Sequence, residues 1–184
     1  MRSGVSLDLH TLVEEEDRLI ALVEAQVGLM EEKEDALVRL GVFAQYAAVH
    51  EAYVSLAHEQ NSLEALKRAL FLQWFAVAEP ACFSGLREIR KAPESRLWIL
   101  IGEFLRADAA DDELHLMLAS YYALSDFYFD AAASQEVIAS ARAGRAFTDV
   151  RSTLVEDQFL DRGAMGEYWS SYLDASHRRD TRPS

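Results

Sequence analysis

One cysteine, three prolines and eight glycines in 184 residues leave this chain poor in crosslinks and in backbone breakers. The lone Cys82 excludes an intramolecular disulfide and any multi-cysteine zinc or iron–sulfur centre, and it fits a reducing compartment. Its position after Pro80-Ala81, near a helix end, lacks the field that activates thiols, so an inert side chain is expected. Segments rich in Val, Ile and Thr that alternate between turn dipeptides are missing, which leaves a sheet without strands. The longest apolar stretch, Ala69 to Phe83, is broken by Gln73, Glu79 and Pro80 and falls short of the roughly 20 residues a bilayer crossing needs. Residues 1–11 have no basic region followed by an apolar one, as an export signal would. The expectation is a cytoplasmic protein with no membrane span.

Chemistry-bearing patterns are equally sparse. There is no Gly-x-Ser-x-Gly elbow, phosphate-binding glycine loop, dinucleotide fingerprint or His-Glu-x-x-His run. Di-metal helical bundles place Glu-x-x-His pairs on two helices. Here Asp112 and His115 have that spacing once, without a second copy, and only His50, His58 and His115 are placed to converge. No metal and no cofactor are expected. The acidic run Asp108, Asp111, Asp112 and Glu113 is expected to be a solvated loop. No repeat appears: Tyr53 to Pro80 has some of the small residues of a tetratricopeptide unit, but no second copy follows at that period.

What the chain has in abundance is alanine, leucine and acid. Apolar residues make up 51% and charged residues 27%, the balance of a folded domain. The formal charge of −13 repels phosphate backbones and anionic lipid, so nucleic acid is not an expected partner. The acid is uneven: Met1 to Asp35 holds ten acids against three bases, and Ala107 to Glu136 holds seven against none. Between them Glu64 to Arg106 carries seven bases against five acids, which suggests pairing within the chain.

Apolar spacing predicts an all-α, single-domain bundle of about six helices, mostly antiparallel neighbours. An amphipathic helix is expected from Leu9 to about Met30, a second from about Asp35 to Glu59, and a third capped by Ser62 and ended by Pro80. The third, apolar on every side in its second half, reads as the core helix. A turn at Phe83-Ser84-Gly85 leads to a short helical piece through Arg90. A fourth helix spans Glu94 to Arg106. A fifth begins at Asp112 and is expected to run towards Ala143, with Gly144 as its stop. Thr148 or Asp149 should cap a helix to Leu160, and a short aromatic helix should follow over Glu167 to Ala175. Residues 176–184 read as a mobile polar tail.

Two readings of function follow. The first is a non-catalytic acidic protein, adaptor-like or antidote-like, that binds a protein partner or itself, with the acidic first helix as one surface. The second is a small-molecule-binding or enzymatic bundle with an internal pocket lined by Trp74, Trp98, Tyr121 and Tyr128. In that pocket Glu79 and Asp126 are the carboxylates set among apolar neighbours, where burial would raise their pKa. The segment Gly166 to Leu173, with Tyr168, Trp169 and Tyr172, needs a dry surface, either as a lid on its own core or at a second subunit.

Overall fold

Asp8, Ser62, Asp111 and Ser134 each stand just before a helix and accept a hydrogen bond from the backbone N–H three residues on. Each such cap satisfies one orphan donor of a first turn and contributes about 1 kcal/mol. The computed structural model describes residues 8–87, 89, 91–144 and 161–180, with the backbone alone for 91–95 and 172–180. They form α1 (Leu9–Glu24), α2 (Met30–Arg39), α3 (Val42–Gln60), α4 (Leu63–Ala78), α5 (Ala81–Ser84), α6 (Lys91–Arg106), α7 (Asp112–Ala132), α8 (Gln135–Ala143) and α9 (Gly163–Asp180). The fold is an all-α single domain, with nine helices among the described residues rather than about six.

The extra helices come from local chemistry that apolar periodicity does not register. Gly28, at φ +112°, lies in the link that separates α1 from α2, so the acidic cluster at Glu31 and Glu32 opens a new helix. Acids there favour the positive end of the helix dipole. Gly41, at φ +67°, splits the expected second helix into α2 and α3. Ser125 takes non-helical angles and kinks α7, and Ser134 then caps α8 where one continuous helix was expected. After Pro80 the chain makes only the single turn of α5, and the expected helical piece before Arg90 is absent among the described residues. Pro93 sits inside the first turn of α6, where its missing N–H costs nothing. The expected helix from Thr148 or Asp149 to Leu160 lies outside the described residues. Helix α9 is longer than the expected Glu167–Ala175 and includes 176–180; residues 181–184 lie outside the described set.

Helix α4 is the central element, with every residue from Ala65 to Trp74 buried. It packs on α3, α6, α7 and α9, while α1 packs on α3, α5 and α9. Pro80 forces Glu79 into an extended conformation and ends α4. Met165 and Trp169 of α9 are buried in the common core, so this helix covers its own domain. No helix of the described residues is long and apolar enough to cross a membrane.

Candidate functional site

Burial of α4 from Ala65 to Trp74 takes two charged side chains inside with it. Lys67 and Arg68 are only 4% and 3% exposed. An unpaired buried charge is untenable, so each meets carboxylates. The Lys67 ammonium donates to Asp111 at 2.6 Å and to Glu113. Arg68 donates to Glu64 at 2.9 Å and to the Asp161 carbonyl at 3.1 Å, with Glu16 3.7 Å away. Arg162 grips Glu64 through two nitrogens and Glu113 through a third. The expected solvated loop is corrected here: Asp111 caps α7, and Asp111 and Glu113 hold a buried lysine.

Glu16, 1% exposed on the otherwise acidic surface helix α1, completes the cluster. Its carboxylate accepts from the Tyr53 hydroxyl at 2.7 Å and from the Ala164 backbone N–H at 3.0 Å. It therefore caps the first turn of α9 from 148 residues away in sequence. The approach is close: Gly163 is at φ +57°, and a Cβ there would lie 2.7 Å from the Glu16 carboxyl carbon. Burial pushes the Glu16 pKa up, against the opposing hydrogen bond from Tyr53 and the charge of Arg68. Burial would also raise Glu64, but Arg162 and then Arg68 outweigh it and hold that carboxyl below its usual range. Tyr53 is raised by burial and by Glu16, so its hydroxyl stays a donor. The arrangement fastens the start of α9 to α1, α3, α4 and α7.

Beside this latch, α1 and α9 leave a groove of about 260 Å³. Val23, Tyr46 and Phe75 supply apolar lining, Phe83 and Tyr168 are further aromatic walls, and Glu24 and Glu167 bring carboxylates. Gly85 lies against two of these lining side chains: at φ +70°, a Cβ on it would lie 2.7 Å from Val23 and 2.8 Å from Tyr46. A second hollow of about 580 Å³ shares Glu167 and Ser171 with the first and adds Asp17, Asp161 and Arg162. Burial raises the Glu167 pKa, and repulsion from Glu24 and Asp17 raises it further. None of Asp17, Glu24 and Glu167 is ion-paired with a described residue.

The six pocket residues expected from sequence are dispersed. Trp74 and Tyr121 stack nearly parallel with ring centroids 4.1 Å apart, too close for a ligand between them. Trp98 and Tyr128 belong to a separate aromatic group around Phe129. Glu79 caps the end of α4, half-buried. Asp126 is exposed and accepts a hydrogen bond from the Phe127 N–H just past the Ser125 kink. None of the six lines either hollow. Of the histidines, His50 is fully buried, His58 is exposed and His115 meets Ser140 at 3.3 Å. No three or more His, Cys, Asp or Glu side chains among the described residues are grouped to hold a metal ion. Cys82 is a buried free thiol.

The surplus of base between Glu64 and Arg106 is largely consumed within the fold, since Lys67, Arg68, Arg87 and Arg106 all pair with acids of other segments. What the sequence reading missed was Glu16 and Arg162. Glu16 stands in a run of four acids, yet its spacing from Leu12, Leu19 and Val23 puts it on the apolar stripe of α1. Comparison with family models, with curated proteins and with solved structures returns no match.

Proposed function

We propose that this is a non-catalytic, adaptor-like or antidote-like protein that binds a basic partner protein through the face made by α1 and α9. The observation that carries the reading is the apolar groove on that face with carboxylates that no described residue neutralises. Elsewhere the protein pairs its buried acids with care, so Asp17, Glu24 and Glu167 form a local excess of negative potential next to exposed apolar surface. Such a surface attracts cations over a distance set by salt and then offers them a place to desolvate. Val27 and Leu29, exposed in the link that follows Glu24, and Met30 at the start of α2 extend the apolar surface along the chain.

Charge reversal tests it. Immobilised wild-type protein should capture a basic partner at low salt and release it at high salt. The pair Asp17→Lys and Glu24→Lys should abolish capture, while Glu59→Lys, exposed at the end of α3, should retain it. Equal capture by all three proteins, or equal loss in both variants, would refute the assignment of this face.

A further inference from the structure

The groove itself states what part of a basic partner it takes. Ligand pockets for drug-sized molecules run from about 300 to 1,000 Å³, and this one, at about 260 Å³, falls below them. It suits one long side chain better than a whole small molecule. Its lining joins two kinds of surface: aromatic and aliphatic side chains, and the two carboxylates Glu24 and Glu167. An aliphatic stem with a cationic head has the same division, because lysine and arginine bury their methylenes on apolar surface while the charge seeks a polar partner. One wall already engages such a group, for the Lys33 ammonium lies 5.2 Å from the centroid of the Phe83 ring. The ring of Phe83 is thus electrostatically suited to a cation, one of which the chain already places beside it. Glu24 and Glu167 repel each other in the free protein, and a cation between them would remove that repulsion.

We infer that the groove between α1 and α9 is the seat of a single lysine or arginine side chain of the basic partner, its stem on Val23 and Tyr168 and its charge between Glu24 and Glu167. This rests on the reading of the α1 and α9 face as the partner surface and adds a specific anchor to it. Without such an anchor, binding would be diffuse and would follow net charge; with it, one basic residue of the partner dominates and its neighbours matter little.

The probe is a fluorescently labelled short peptide, blocked at both ends, with one central arginine among alanines and serines and no other cation, followed by anisotropy. A second peptide carries citrulline at the centre, which keeps the shape and removes the charge. The wild type should bind the arginine peptide at least tenfold more tightly than the citrulline peptide. Glu24→Gln with Glu167→Gln should erase that preference. Ser171→Phe, at an exposed position on the groove wall, should weaken binding tenfold or more by filling the space. Glu59→Gln should behave as wild type. Far-ultraviolet circular dichroism confirms that each variant is folded. If the arginine peptide binds in a salt-dependent way but the groove variants retain both affinity and preference, the anchor is refuted while the acidic-face reading stands. If the peptide does not bind the wild type, the anchor is likewise refuted, and the partner-capture experiment decides the wider reading separately. A concentration-dependent dimer that the same variants dissociate would assign the groove to a second copy of this chain and overturn the inference.

Discussion

Among the described residues His50 is the one imidazole fully enclosed by the fold, on α3 against α4, and it makes stability depend on pH in a window that can be worked out. Burial pushes its pKa down from 6.5 to about 4, with the neighbouring Gln73 side chain and the Ala69 backbone opposing only in part. Neither His50 nitrogen, and neither polar atom of the Gln73 side chain, completes a hydrogen bond of ordinary geometry. Because the folded-state pKa is depressed, the unfolded chain takes up a proton on acidification before the folded one does. The contribution of neutral His50 is therefore intact above 6.5 and is lost as pH falls through about 4. Full loss corresponds to roughly 3 kcal/mol, and about 2 kcal/mol of it should be gone by about pH 5. Glu16 acts with the opposite sign, since its raised pKa means that stability declines as pH rises above 4.5. The overall pH profile thus mixes the two groups, and a difference measurement separates them. Urea unfolding of wild type and His50→Leu at pH 7 and pH 5 should show wild type losing about 2 kcal/mol more than the variant between the two. The NMR shift of the His50 ring proton should stay near its neutral value down to about pH 5. A ring that titrates near 6.5, or equal pH losses in the two proteins, would refute the reasoning.

Gly163→Ala should lower stability by at least about 2 kcal/mol, from left-handed strain together with a weakened bond from Ala164 to Glu16. Gly102→Ala, within α6 and meeting the flexible ends of Arg106 at 3.2 Å and Glu136 at 3.6 Å, should be neutral or slightly stabilising in the same denaturation assay. Trp169→Ala should cost about 3–5 kcal/mol in urea unfolding, the usual loss for a buried tryptophan, because its ring lies 5.7 Å from Tyr121 in the protein's own core. A variant of unchanged stability that instead altered the sizing profile would show Trp169 to be an interface anchor.

The helical class, the start of α4 at Ser62, its end at Pro80 and its role as the core helix were all legible in the sequence. They rest on local rules: caps, breakers and the period of apolar residues act within a few positions of one another. The same rules contained some breaks that the apolar pattern conceals, because Gly41 and Ser134 interrupt stretches whose hydrophobic spacing runs straight through them. For function, the sequence supplied the uneven charge and identified α1 as an acidic surface, and little beyond that.

Tertiary structure decided which charges matter. Lys67, Arg68 and Glu16 look like surface residues one by one, and only the packing of α4 against α3, α6, α7 and α9 determines that they are enclosed. Once enclosed they must pair: Lys67 meets Asp111 and Glu113, 44 and 46 residues along the chain, Glu16 meets Tyr53 37 residues away, and Arg162 reaches Glu64 across 98 residues, so that only Arg68 with Glu64 is a local pair. The expected pocket failed to assemble for the same reason: Trp74, Trp98, Tyr121 and Tyr128 are apolar enough to fill space, and rings that can stack on each other in a dry interior do so. The groove formed instead where α9 returns across α1, bringing Glu167 opposite Glu24, a meeting set by a carboxylate at position 16 holding a backbone N–H at position 164.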